Sequence, residues 1–160
     1  MNKLMCAAAV ALATTATAAY PAETEYKGLW CGHAKTNMLG ASPELTAYTS
    51  DVWAVEIPGA SAPKTLEGAT VRCVSYTRVV QGKVTARSMC RFTDTMGEAF
   101  TGEATQTPDQ PNAWTFLAGT GKWKGIQGTG TWQYVSRSKP AADGSVELCL
   151  QHSGKYTLPQ

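Results

Sequence analysis

Between Thr70 and Thr93 the chain carries two strand-like runs, Thr70–Val80 and Lys83–Thr93, separated only by Gln81 and Gly82. A two-residue loop leaves little freedom. It makes a β-hairpin in which Val80 faces Lys83, Val79 faces Val84, and each step outward pairs the next two residues. Counted this way, Cys73 falls opposite Cys90. Pairs alternate between hydrogen-bonded and non-hydrogen-bonded, starting from a hydrogen-bonded pair at the loop, so the two cysteines form a non-hydrogen-bonded pair. Their Cα atoms then lie roughly 4.5 Å apart, at the short end of the range a disulfide spans. The register therefore predicts a Cys73–Cys90 bridge inside an antiparallel sheet.

The same register sorts the hairpin into two faces. Val71, Cys73, Ser75, Thr77, Val79, Val84, Ala86, Ser88, Cys90 and Phe92 share one face, small and apolar, and read as core. Arg72, Val74, Tyr76, Arg78, Thr85, Arg87, Met89 and Arg91 share the other. Four arginines around one tyrosine are either a solvated outer face or an anion site, because Arg forks suit carboxylate and phosphate.

A bridge presupposes an oxidising compartment, and the N-terminus agrees. Met1, Asn2 and Lys3 precede an apolar run from Leu4 to Leu12 and small residues ending in Ala16-Thr17-Ala18. That is the layout of a secretory signal peptide over residues 1–19, with an apolar core too short to anchor in a bilayer. The expected product is a periplasmic or secreted single domain over residues 20–160, without a membrane anchor. Cys6 leaves with the leader, and Cys31, Cys73, Cys90 and Cys149 remain. Four cysteines allow three pairings. With Cys73–Cys90 set by the hairpin, the other bridge is Cys31–Cys149, which ties the first strand to the last. Such a staple suits a sheet that closes on itself. A zinc site has less support, since no two cysteines have C-x-x-C spacing and only His33 and His152 could join them.

Elsewhere, short alternating runs are separated by turn residues, the pattern of an all-β fold. Further strands are predicted at Tyr26–Thr36, Asp51–Ile57, Ala99–Gln106, Trp114–Ala118, Gly130–Ser136 and Val146–His152. Loops fall at Pro58–Pro63, Pro108–Asn112 and Lys139–Gly144. A short helix is expected within Asn37–Ser50, where Ser42-Pro43-Glu44 resembles an N-cap followed by proline. The expected fold is all-β: a small closed antiparallel barrel of about eight strands, stapled by two disulfides.

Several function classes lose support. A formal charge of +2, which falls by one when Lys3 leaves, and the lack of any Lys/Arg run argue against nucleic acid. There is no G-x-S-x-G elbow, neither histidine has an evident partner in the sequence, and the cysteines are expected to be oxidised, so nucleophilic catalysis has little footing. No metal-ligand spacing puts donors on one face. Gly119-Thr120-Gly121-Lys122 is not a phosphate loop. Phe116 stands where the first glycine belongs and no Ser or Thr follows the lysine.

The run Gly119-Thr120-Gly121-Lys122-Trp123-Lys124-Gly125-Ile126-Gln127-Gly128 resembles the glycine-rich "GTG-aromatic-x-G-x-x-G" hairpin of allene oxide cyclase and dirigent barrels and of small exported bacterial proteins related to them. Upstream, Cys90-Arg91-Phe92-Thr93-Asp94-Thr95-Met96-Gly97-Glu98 is similar to a "C-x-x-x-D-x-x-G-D/E" turn of the same bacterial group. The resemblance implies an eight-stranded barrel with a central cavity, and a homo-oligomer as one open arrangement, since the plant proteins are often trimers. The plant proteins cyclise an unstable epoxide or steer a radical coupling. Their catalytic positions do not map onto this sequence, so catalytic residues stay unassigned and no cofactor is implied.

Aromatic side chains are the remaining signal. A barrel of this size holds its own side chains or one small molecule, and a few polar groups among aromatics would recognise it. The candidate ligand-binding residues are Trp53, Tyr76, Arg87, Trp114, Trp132 and Tyr134. Two main readings follow: a binding protein for a small apolar or aromatic molecule, or a cofactor-free isomerase, cyclase or lyase using one polar group such as Glu56, Glu103 or Arg87. A surface-mediated interaction protein is a third. A buried carboxylate in an aromatic cavity would favour the enzyme.

Overall fold

The computed structural model describes residues 22–42, 44–58 and 64–159. The proposed leader lies outside these residues. Eight strands follow in order: β1 (Glu23–Ala41), β2 (Leu45–Glu56), β3 (Thr70–Val80), β4 (Lys83–Thr93), β5 (Ala99–Gln106), β6 (Ala113–Gly119), β7 (Gln127–Arg137) and β8 (Ser145–Thr157). Each pairs antiparallel with its neighbours in sequence and β1 pairs with β8, so the sheet closes into a barrel. The only helical element among the described residues is a 3-10 turn at Gly121–Trp123.

The β3–β4 hairpin has the predicted register throughout, from Val80↔Lys83 to Thr70↔Thr93. Gln81 and Gly82 both have positive φ, 48° and 76°, which gives the loop a twist matched to its strands. Cys73 and Cys90 are bonded across the hairpin, and Cys31 to Cys149 across the β1–β8 seam. The first bridge points into the core. The second lies on the outer face, since Cys149 alternates with the buried Leu148 and Leu150.

The helix expected within Asn37–Ser50 is absent. β1 and β2 continue as a long hairpin in which Asn37 pairs with Thr49 and Met38 with Tyr48. The Ser42 hydroxyl accepts from the amides of Glu44 (3.3 Å) and Leu45 (3.0 Å), the bonds an N-cap would accept, but here they close a strand-to-strand turn. Pro43 lies outside the described residues. The physical reason is partnership: Leu45–Val55 hydrogen-bonds to β3 along its whole length, which no local helix could offset.

One end of the barrel is plugged. Leu66, Phe100, Trp123, Ile126 and Tyr156 are buried there, and the two motifs that carried the family resemblance interlock. Asp94 accepts from the Met96 and Glu98 amides (2.8 and 3.0 Å), from Trp123 Nε1 (3.0 Å) and from Lys122 Nζ (2.7 Å). Burial alone would raise its carboxyl, but the bonds from Lys122, Trp123, Met96 and Glu98 outweigh it and hold it at about 2. Gly121 has φ of 53°, a conformation that favours glycine, and the Glu98 carboxylate packs into the space where a Cβ would stand. The glycine-rich segment thus closes the barrel.

Candidate functional site

The opposite end, where the β1–β2, β3–β4, β5–β6 and β7–β8 connections gather, leads into an interior space. A chamber of about 240 Å³ is lined near the mouth by Thr36, Tyr48, Thr77, Gln106 and Arg137, and deeper by Trp132 and Tyr134. It continues past Trp132, Tyr134 and Leu148 into a narrower space of about 60 Å³ walled by Trp30, Phe92, Trp114 and Leu150 and ending at His152. Hydroxyls band the middle, with Ser88 donating to Ser75 at 2.8 Å.

Three of the six sequence-predicted ligand residues line this space. Trp114 is buried, edge-on to Phe92 and Phe116. Trp132 and Tyr134 pack at right angles, 5.5 Å between centroids, and Trp132 Nε1 donates to the Ala113 carbonyl (3.1 Å), which orients its ring. Burial raises the Tyr134 phenol, against the lowering effect of Arg137.

The other three point away. Trp53 lies on the outer face, stacked on His33 and covered by the Arg72 guanidinium 4.9 Å from its ring. Tyr76 is 48% exposed. Arg87, its side chain 72% exposed, forms an outer ion pair with Glu103 (2.5 and 2.9 Å). This corrects their assignment to the interior: Val52, Ala54, Cys73 and Cys90 face inward, and strict alternation sends Trp53, Tyr76 and Arg87 outward. The arginine-rich face of the hairpin is accordingly an outer face.

At the deep end the structure unites Glu56, a candidate polar group, with His152, which had no evident partner in the sequence. Glu56 is 0% exposed, and His152 Nε2 lies 3.0 and 3.1 Å from its two carboxylate oxygens. The two residues belong to β2 and β8, the strands on either side of β1. They meet because Gly28, opposite His152 on β1, has no side chain, and a Cβ there would collide with both. Nε2 faces the carboxylate, which leaves Nδ1 without a hydrogen-bond partner among the described residues, on a ring that lines the inner space. Beside them the Tyr26 hydroxyl is buried without a hydrogen-bond partner, and burial together with the Glu56 charge pushes its phenol up. The trace of this site in the sequence is a polar residue within an inward-facing apolar series on each strand: Glu56 after Val52 and Ala54, and His152 between Leu150 and Tyr156.

Arg137 was not among the residues predicted from sequence. Counting by alternation from Tyr134 sends it outward, but β7 bulges between Tyr134 and Ser136. Ser136 therefore pairs with Cys149, and Arg137 with the inward-facing Leu148. The bulge carries the guanidinium into the mouth.

No family model and no curated protein matches the sequence. Among solved structures, the pterocarpan synthase dirigent protein GePTS1 is similar, with a TM-score of 0.55, 10% identity, and 91% of this chain and 90% of that chain covered. The chain has a dirigent-like barrel fold.

Proposed function

We propose that this chain is an exported barrel protein that binds one small, partly apolar or aromatic molecule in the open half of the barrel. The observation that carries this is the chamber itself: the closed end is filled by its own side chains, whereas the end lined by Trp132 and Tyr134 is not. Two disulfides accord with an oxidising destination, periplasmic or extracellular. The similar structure is of a protein named as a synthase and a dirigent protein, which fits a barrel that holds a small molecule in one pose.

One observation favours the second reading, a cofactor-free isomerase, cyclase or lyase. A general base needs a proton acceptor held by a partner at the end of a water-poor cavity, and the Glu56–His152 pair has that arrangement. In this reading His152 Nδ1 moves the proton and Glu56 orients the ring.

A native mass spectrum of protein purified from the compartment of export tests the proposal, since a retained small molecule names the ligand class. A screen of hydrophobic carboxylates, phenols and terpenoids, read by tryptophan emission and melting temperature, is the second test. Binding is expected to weaken by about 1–3 kcal/mol in Trp132→Ala. A screen that moves neither signal overturns a cavity function. Saturation without product selects the binding protein, and turnover that His152→Gln abolishes selects the enzyme.

A further inference from the structure

Both chambers are walled mainly by apolar, aromatic and hydroxyl side chains, with the Gln106 amide near the mouth and His152 at the deep end, and among the described residues that line them Arg137 is the one with a permanent charge. No carboxylate of the described residues forms an ion pair with it. Its Cζ lies 5.6 Å from the Tyr134 ring centroid, a cation–π contact that steadies the guanidinium and leaves its N–H fork available. Everywhere else along the hairpins the arginines face outward. This one is carried inward by the bulge opposite Cys149, and the next residues lead into the β7–β8 connection at the rim.

We infer that Arg137 is an anion anchor, and that the ligand class is a small aromatic or alkyl carboxylate. This rests on the cavity reading above. The carboxylate sits at the mouth, held by the guanidinium fork with the hydroxyls of Tyr48 and Thr77 nearby, while the apolar body lies inward against Trp132 and Leu148. Size limits the body to one or two rings, because the outer chamber of about 240 Å³ and the inner space of about 60 Å³ together only reach the lower end of the roughly 300–1,000 Å³ of sites for drug-sized molecules. Polarity runs in the same direction: cation at the rim, hydroxyls in the middle, and aromatic walls at the bottom. A neutral ligand of the same shape would forgo the charge-assisted bonds.

Calorimetric titration of the exported protein with naphthoate, cinnamate and phenylacetate, each against its neutral amide, tests this. The carboxylate is expected to bind about tenfold tighter than its amide, the lower end for hydrogen bonds to a charged group. Arg137→Gln should erase that preference and leave amide affinity within about twofold. Arg137→Lys should keep part of it, since charge remains and the fork is lost. Arg91→Gln, on the outer face, should change neither affinity. Equal binding of acid and amide, or an equal loss in Arg91→Gln and Arg137→Gln, overturns the anchor and leaves the cavity reading standing. If neither acid nor amide binds while Arg137→Gln and wild type share the same circular dichroism, anchor and cavity reading both fall.

Discussion

Replacing His152 by leucine removes one half of a buried pair and strands the other. Glu56 has no exposed surface, both of its oxygens lie near 3 Å from Nε2, and no other hydrogen bond among the described residues reaches its carboxylate. Taking away one partner of such a pair costs about 3–5 kcal/mol, because a desolvated polar group is left uncompensated. For a domain of this size that corresponds to a fall in melting temperature of about 10–15 °C. Replacing both, as Glu56→Leu with His152→Leu, removes the polar groups together and should recover most of the loss, ending within about 2 kcal/mol of wild type. Glu56→Gln keeps an acceptor for Nε2–H and should cost about 1 kcal/mol. The assay is guanidinium unfolding at neutral pH with both disulfides intact, followed by tryptophan emission, with the slope checked so that midpoints convert to stability. A double variant whose loss equals the sum of its single losses would refute the reasoning, since it would show no coupling between the two groups.

Gly28→Ala attacks the same pair from the backbone: its methyl would meet Glu56 and His152, and unfolding should report a loss of about 1–3 kcal/mol. Asp94, held at about 2 in the fold, contributes stability that is present above its unfolded value of about 3.9 and lost as pH falls through about 2. Asp94→Asn should therefore flatten the acid limb of the stability curve between about pH 4 and pH 2, and should weaken the plug by about 1.5–3 kcal/mol at neutral pH. Under mild reductant, alkylation with mass mapping should label Cys31 and Cys149 before Cys73 and Cys90, since the first bridge lies on the outer face and the second is buried. The β1–β8 bridge closes a loop of 118 residues and the hairpin bridge one of 17, so loss of the first should cost about 5 kcal/mol and loss of the second about 3 kcal/mol on chain-entropy grounds.

What the sequence determined by itself is whatever depends on counting along the chain. The loop at Gln81 and Gly82 sets a register, the register sets Cys73 against Cys90 and an apolar face against an arginine-rich one, and the recurrence of such runs sets eight strands. These are short-range relations, and period-two alternation carries them without knowledge of the fold. The interior site obeys other rules. Glu56 and His152 are 96 residues apart and meet across a strand that belongs to neither, which required the barrel to close and Gly28 to fall between them. Trp53, Tyr76 and Arg87 have the chemistry of a ligand site, but alternation from the buried cysteines sends them outward. For Arg137 alternation itself gives the wrong side. One extra residue in β7 shifts the count, and a bulge is set by how two distant strands pair, which is a property of the closed sheet.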